Sequence, residues 1–297
     1  MSYLSLSNTS LVAIAISFVV ICIIIISLRV VTQIKAKQAL KEELAQHDNF
    51  AMGISFASEI SVVIATMAFL FDEISVSTAQ SNPLKVILLI VLLFSFIKMG
   101  HLIHRKWILR RFNEEAAILK QNVCAALVDS GMLIANCILV LGLYTCTHTQ
   151  GFSNLLIASV SFFVLQGMFA LDSKIRENRF AKANQGASLQ SNFGLENTSI
   201  GIRYAGKSIG LALAAYAGLS SAAFQNGKMV ENLFTLVMHC GVMWLLLYCL
   251  TYIIKIISMP NIDTALEVDH QDNIGIACIE FAVFCAIGYL LISMFSI

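Results

Sequence analysis

The sequence is poor in charged residues and nearly without proline. Of its 297 residues, 12% are charged and two are proline, whereas soluble domains average about 25% charged residues. The hydrophobic fraction is 58% and the mean hydropathy is +0.80. So little charge cannot cover a water-facing surface, which excludes a soluble globular protein. The net charge of +1 also gives no reason to expect a nucleic-acid partner.

Motifs of known catalytic chemistry are also absent from the sequence. There is no nucleophile elbow, no H-E-x-x-H, no P-loop and no glycine-rich dinucleotide fingerprint. The eight cysteines form no C-x-x-C pair, and most lie inside apolar stretches, which favours buried thiols over metal ligands or disulfides. We therefore expect a protein that is not an enzyme and that holds no metal or cofactor.

Long apolar blocks make up most of the chain, and each is close to the ~20 residues that cross a bilayer as a helix. They cover roughly 10–31, 50–71, 84–104, 123–145, 152–172, 198–224, 230–257 and 274–296. The first block lacks a basic start and a small-residue cleavage site, so we expect it to stay in the protein as a helix. The blocks predict an all-α, polytopic membrane protein with eight transmembrane helices and the lipid bilayer as its partner.

A short motif, an asparagine that follows a polar residue, begins every second block. Its copies stand 73, 75 and 76 residues apart, at Asn49, Asn122, Asn197 and Asn273. Such a period indicates four repeats of a helical pair, and because each pair crosses twice, the repeats are parallel. Capping of the helix start is the interpretation that we favour for the asparagines. The alternative is a ring of polar groups at one mouth of the bundle.

Small residues recur four positions after each motif asparagine, at Gly53, Ala126, Gly201 and Ala277. Small residues at helix contacts allow membrane helices to approach closely. We therefore expect the even-numbered helices to form an inner bundle and the odd-numbered helices to face lipid.

Charged side chains inside the predicted helices also follow the repeat. Counted from the preceding asparagine, Glu59 and Lys207 both stand at offset ten, and Asp129 and Glu280 both stand at offset seven. Odd repeats thus match odd repeats, and even repeats match even ones. The sequence therefore predicts a duplicated four-helix unit with the boundaries 1–148 and 149–297. Arg203, at offset six, lies one turn from Lys207.

Ionisable residues inside a membrane cost at least ~2.5 kcal/mol each and mark function by default. We expect the five charges to face a common interior, with Glu59 meeting Lys207 and Asp129 opposite Glu280. One interpretation is a lock that fixes the packing of the two halves. The other is a path for protons or a small cation. His239 is a candidate proton relay, although a lone helical histidine is more often hydrogen-bonded to a neighbour.

Basic residues concentrate in the first three connectors that follow odd helices, between 35 and 41, 98 and 120, and 174 and 182. The positive-inside rule makes these connectors cytoplasmic and puts both termini outside. Segments 35–46 and 105–120 have the composition of helical extensions, and 182–195 that of a loose linker. The basic connectors also support a rival hypothesis, a non-transporting scaffold that docks a cytoplasmic partner protein.

The repeated motif resembles the DUF350 family, typified by the bacterial YjfL-like inner-membrane proteins. Members commonly have two helical pairs, so the resemblance describes this chain as a tandem double-length member. The residue two after the asparagine is alanine only in the first copy; elsewhere it is Cys124, Ser199 or Gly275. The resemblance implies the bacterial inner membrane and an association with envelope stress, and it carries no settled biochemical function.

Overall fold

The computed structural model describes residues 8–36, 40–73, 82–147, 153–222, 224–225 and 227–295. Within these ranges all regular structure is helical, which confirms the all-α class. The eight long helices are α1 (Asn8–Ala36), α2 (Phe50–Glu73), α3 (Pro83–Ile103), α4 (Val123–Thr147), α5 (Ser153–Ala183), α6 (Thr198–Ser220), α7 (Met229–Ser258) and α8 (Ile274–Phe295).

Six of these helices, α2, α3, α4, α5, α7 and α8, are long and apolar enough to cross a membrane. In α1 the described apolar stretch, Phe18–Ile34, is shorter. The remaining helix, α6, is rich in glycine, alanine and serine and carries Arg203 and Lys207, which lowers its hydropathy. The chain is therefore a polytopic membrane protein, with one long helix of distinctly mixed composition.

Helix ends follow local chemistry more than hydropathy. Pro83 lies in the first turn of α3, where its missing N–H costs nothing. The fifth apolar block ends at 172 in the prediction, but α5 continues to Ala183. The prediction of that end is wrong because the charged residues after 172 are good helix formers, and Asp172 and Arg176 form an ion pair one turn apart.

Short helices occupy the connectors that lead into the even-numbered helices. They span Leu40–Ala45, Glu114–Leu119, Leu189–Asn192 and Thr264–Asp269. The predicted continuous extension over 105–120 is wrong: α3 passes into a π-helical turn, His104–Ile108, and the chain then breaks before the next helix. We call the side of the bundle that carries these helices the connector end.

The segment 182–195, predicted to be a loose linker, is instead ordered and packed. Ser188 caps the Leu189–Asn192 helix by accepting a hydrogen bond from the Ser191 backbone N–H. Phe193 is fully buried and packs its ring edge-on against Phe112 and Tyr204. The prediction fails because the polar composition conceals one aromatic side chain that anchors the segment.

The even-numbered helices form an inner row in the order α2, α4, α6, α8, with the most extensive contacts between α4 and α6 and between α6 and α8. Most side chains of α4 and α6 are buried. The odd-numbered helices expose large apolar side chains, for example Leu88, Phe163 and Leu245. The predicted inner position is therefore confirmed for α4 and α6, whereas α2 and α8, at the ends of the row, also expose large side chains such as Phe71 and Tyr289.

Two glycines show how closely the inner row is packed. A Cβ added at Gly131 of α4 would lie 2.5 Å from the Cα of Ala205 in α6. One added at Gly206 of α6 would lie 2.5 Å from the Cα of Phe281 in α8. Real Cβ atoms do not approach backbone so closely, so both contacts require glycine.

Candidate functional site

The four motif asparagines share one local geometry. In each, the side-chain Oδ1 accepts a hydrogen bond from the backbone N–H three residues ahead, at 2.9–3.2 Å. This is the N-cap bond that the sequence predicts. The residue before each asparagine has a left-handed backbone with φ between 50° and 65°, at Asp48, Gln121, Glu196 and Asp272.

The amide nitrogen of three of these asparagines reaches the next connector along the chain. Asn49 Nδ2 donates to the Ile118 carbonyl at 3.4 Å, and Asn122 Nδ2 donates to the Phe193 carbonyl at 2.9 Å. Asn197 Nδ2 donates to the Val268 carbonyl at 3.0 Å. Each of these side chains therefore caps one helix and fastens the connector of the following one.

The fourth asparagine bonds within its own connector. Asn273 Nδ2 donates to Glu267 Oε2 at 2.8 Å, as Asn49 also does to Glu43 Oε2 at 2.9 Å. Asn49 and Asn122 are buried, so these two amides do not present a polar ring to solvent.

Glu59 pairs with a lysine of the neighbouring helix. Lys98 Nζ in α3 lies 2.7 Å from Glu59 Oε1, and Thr32 Oγ1 in α1 lies 3.5 Å from Oε2. The expected pair of Glu59 with Lys207 is wrong. The order of the inner row explains why: α4 stands between α2, which carries Glu59, and α6, which carries Lys207.

Asp129 is held by three donors from the end of α3. Arg105 binds it through two nitrogens, Nε at 2.7 Å and Nη2 at 2.8 Å, and His101 Nε2 lies 2.6 Å from Oδ1. Arg105 also reaches Glu115 at 2.6 Å. Asp129 is 2% exposed and does not face Glu280, because α6 lies between α4 and α8.

Glu280 belongs to a separate network at the connector end of α6, α7 and α8. Arg203 and Lys255 both form ion pairs with its carboxylate. Arg203 also pairs with Asp269 at 2.7 Å and donates to the Thr264 carbonyl. Glu280 is therefore enclosed by cations from two helices and is 1% exposed.

Lys207 behaves differently from the other predicted charges. Among the described residues its Nζ has no hydrogen bond or ion pair, and it lies 5.7 Å from the centroid of the Phe284 ring. An ammonium at that distance from an aromatic face is attracted by the ring. Lys207 also lines a cavity, together with Arg203 and Glu280.

One ion pair was not foreseen from the sequence. Asp172 and Arg176 of α5 pair inside the bundle, the Tyr248 hydroxyl donates to Asp172 Oδ1 at 2.6 Å, and Arg176 Nη1 donates to Ser208 Oγ at 3.1 Å. Both charges stand at or beyond the end of an apolar block. The positive-inside rule therefore assigns Arg176 to a connector. Their spacing of one helical turn is the signal that could have identified them.

The first-half charges border what we call the acidic cavity, of about 130 Å³. It lies between α1, α2, the end of α3 and the Glu114–Leu119 helix, and its charged lining is Glu59, Arg105 and Glu115. Glu59 and Lys98 also border an outer crevice of about 490 Å³ between α1, α2 and α3, which is otherwise mostly apolar. Glu59 thus connects two cavities.

The second-half charges border what we call the basic cavity, of about 220 Å³. Its charged lining is five bases and two acids: Arg176, Arg179, Arg203, Lys207, Lys255, Asp269 and Glu280. The expected common interior for all five predicted charges is therefore wrong. The close packing of α4 against α6 separates the charges of the two halves.

Glu114 is a buried carboxyl at the connector end, outside the apolar helices. It is 2% exposed, and its Oε1 has no hydrogen-bond partner among the described atoms. Burial raises the pKa of Glu114 to about 8, because a charge removed from water is unfavourable.

His239, the candidate relay, lies apart from these networks. Its Nδ1 is 2.9 Å from Ser221 Oγ, just after the end of α6 that is remote from the connectors. Within the described chain it borders neither cavity.

Long apolar helices that enclose paired charges define the class of protein: an integral membrane protein with a polar interior. The comparison with known families agrees. The model of DUF350, a domain of unknown function, matches residues 5–144, the part of the chain that contains α1 to α4. This match supports the assignment of residues 5–144 to the DUF350 family. No curated protein and no solved structure matches the chain.

Proposed function

We propose that this protein moves protons or a small cation across the bacterial inner membrane, and that Glu59 is the group through which they pass. The role is non-catalytic, and the connector end faces the cytoplasm. The single observation that carries the proposal is the position of Glu59, between the acidic cavity and the outer crevice.

Eight crossings are part of this proposal. At 1.5 Å per residue, the 29 residues of α1 extend ~44 Å and the 23 residues of α6 extend ~34 Å, which is enough for a ~30 Å hydrocarbon core. Because α6 is packed between α4 and α8, lipid does not contact its charges. Eight crossings put both termini on one side, and the basic connectors assign that side to the outside. The halves 1–148 and 149–297 then form a tandem of four parallel repeats.

Accessibility separates Glu59 from the other interior acids. Its side chain is 20% exposed and its partner Lys98 is 43% exposed. Asp129, in contrast, is enclosed by Arg105 and His101, and Glu280 is enclosed by Arg203 and Lys255. A carboxylate with one flexible lysine partner can exchange that partner for a proton or a cation at modest cost, since partly exposed pairs are weak. Asp129 and Glu280 act as fixed charges, each of which holds its own neighbouring helices together.

The local charge also favours a cation. In the acidic cavity Glu59 and Glu115 face a single base, Arg105, which already pairs with Asp129. A cation that enters from the connector end therefore meets a lining with two acids and one base. Ten residues from Asn49, Glu59 lies ~15 Å along α2, which is about half the thickness of the hydrocarbon core.

The test is flux of protons or monovalent cations into liposomes that contain the purified protein. We expect Glu59→Gln to abolish most of the flux. Glu231→Gln, which changes an exposed glutamate in the first turn of α7, is the matched control and should leave the flux unchanged. Asp129→Asn and Glu280→Gln should reduce the flux through loss of folded protein. The proposal is wrong if liposomes with the wild-type protein conduct no more than empty liposomes under any gradient or voltage.

A second function, a membrane scaffold that docks a cytoplasmic partner in envelope stress, rests on a surface groove at the connector end. Trp107 is 78% exposed there and borders the groove together with Arg110, Arg111 and Lys174. Arg105 is bound to Asp129 and contributes nothing to this surface. Under this hypothesis Arg110→Ala with Arg111→Ala removes partner cross-linking in cells while Glu59→Gln preserves it. The reverse pattern supports transport.

A further inference from the structure

The basic cavity contains more positive charge than its own acids compensate. Arg203 and Lys255 are compensated by Glu280 and Asp269. Arg176 is compensated by Asp172. Two bases in the lining form no ion pair among the described residues, Lys207 inside the cavity and Arg179 at its exposed rim.

The sequence explains why Lys207 has no counter-charge on the neighbouring odd helix. In the first half, the residue at the same offset, Glu59, is neutralised by Lys98, which stands 24 residues before Asn122. The residue 24 positions before Asn273 is Cys249, so the second half has no acid at the place from which the first half provides its counter-charge. Phe284 contributes a ring face and no full negative charge.

A second unsatisfied donor belongs to a residue that lines the same cavity. Arg176 is nine-tenths buried and lines the cavity, and its Nε–H has no acceptor among the described atoms. A buried N–H without an acceptor is unfavourable. An anion in the cavity would therefore place negative charge beside a residue with an unsatisfied donor, besides compensating Lys207.

The cavity is large enough for such an anion and reachable by it. Its volume of about 220 Å³ is several times the ~30 Å³ that a water molecule occupies in the liquid. Exposed residues, Arg179, Ala183 and Ala265, form the rim at the connector end. Buried ones, Tyr204 and Glu280, lie deeper.

We propose that the basic cavity is a binding site for a phosphate-type oxyanion, held by Lys207 and by Arg179 at the rim, beside the buried guanidinium of Arg176. Guanidinium and ammonium donors that converge from different directions match the several oxygens of such an anion. The phosphate is either a free ion from the cytoplasm or the headgroup of a lipid that reaches the rim. The site is independent of the movement of cations past Glu59.

The experiment measures binding to the full-length protein, purified in a neutral detergent free of anionic lipid. One arm titrates inorganic phosphate by calorimetry, and the other titrates phosphatidylglycerol and counts bound lipid by native mass spectrometry. The variants are Lys207→Met, Lys207→Arg and Arg179→Gln. Lys98→Met is the matched control, because it removes the same charge from the first half.

We expect saturable binding of one probe or both, weakened on the order of tenfold or more by Lys207→Met, as for a hydrogen bond to a charged group. Lys207→Arg and Lys98→Met should retain binding, and Arg179→Gln should weaken it. Response to inorganic phosphate identifies a free ion, and response to phosphatidylglycerol alone identifies a headgroup.

Absence of binding by either probe would overturn the proposal, as would equal binding by wild type and by folded Lys207→Met. If Lys207→Met does not fold, Arg179→Gln decides, because this exposed side chain has no structural partner among the described residues. Unchanged binding in Arg179→Gln then contradicts the site.

Discussion

The acidic cavity of the first half and the basic cavity of the second lie at corresponding places with opposite charge. Each lies at the connector end, between one helical pair and the next. At offset ten from the motif asparagine the first has Glu59 and the second has Lys207; at offset six they have Ser55 and Arg203. Positions at the same offsets from a capping asparagine thus lie in opposite electrostatic environments.

The neighbouring odd helix decides whether each of these two charges has a counter-charge. Glu59 receives a counter-charge from Lys98 in α3. In α7 the corresponding residue is Cys249, and the lysine of that helix, Lys255, pairs with Glu280 instead. The helix caps and the glycine contacts do not depend on these charges. A few substitutions are therefore enough to change an acid-lined cavity into a base-lined one.

The largest expected effect comes from the fixed acid of the first half. Asp129→Asn leaves the Arg105 guanidinium without its principal partner, and breaking a buried pair in this way costs roughly 3–5 kcal/mol. Glu59→Gln, at a pair that is partly exposed, should cost less than ~1 kcal/mol. Denaturant titration in mild detergent measures both. Equal losses would remove the distinction between a fixed and an exchangeable carboxylate.

The next effect compares two glycines at offset four. A Cβ at Gly201 would lie 2.9 Å from the Cys124 carbonyl oxygen, whereas at Gly53 the nearest atom is Leu44 Cδ2 at 3.8 Å. We expect Gly201→Ala to lower the free energy of unfolding by about 1–3 kcal/mol through overpacking. Gly53→Ala should raise it by up to ~1 kcal/mol through helix propensity. The same titration applies, and a gain from both would contradict the tight packing of α4 against α6.

The third prediction concerns pH. Because the folded pKa of Glu114, about 8, exceeds the usual 4.5, the folded state binds more protons between these values and stability falls as pH rises through them. Glu114→Gln should therefore be more stable than wild type at pH 8, by at least ~1 kcal/mol since a tenfold change in proton affinity is ~1.4 kcal/mol. At pH 4.5 the two should be close. A variant that loses stability at pH 8 would indicate that the carboxylate is ionised and satisfied.

The smallest effect is the coupling between Glu59 and Lys98. A double-mutant cycle with Glu59→Gln and Lys98→Met should give an interaction energy of ~0.2–1 kcal/mol, typical of a partly exposed pair. The cycle of Arg203→Met and Glu280→Gln should give a larger value, because that pair is enclosed. A reversal of this order would mean that Glu59 is held as tightly as the second-half acid.

Local features could be predicted from the sequence. The lengths of the apolar blocks predict the long helices, and an asparagine after a polar residue predicts each helix cap. Both features depend on residues that are close together along the chain. Small residues at offset four, such as Gly201, indicated the inner row. These signals do not depend on knowing which helix lies beside which.

The pairing of charges could not be predicted in this way. An offset gives the depth and the face of Glu59 on its helix, but the choice between Lys98 and Lys207 depends on lateral order in the bundle. Arg176 escapes such a prediction because it stands among the basic residues that indicate the cytoplasmic side of the membrane. The packed Phe193 was missed because one aromatic residue does not change the composition of a polar segment.

The asparagine amides that reach the following connector carry a consequence for biosynthesis. Asn122 completes its hydrogen bonds only when the Phe193 carbonyl is present, and this carbonyl is synthesised some 70 residues later. After the first four helices have entered the membrane, the Asn122 amide therefore lacks this acceptor until the fifth helix and the turn after it have been synthesised. We therefore expect the second half to dock onto this open position of the first, and the chain to assemble in order from its N-terminus.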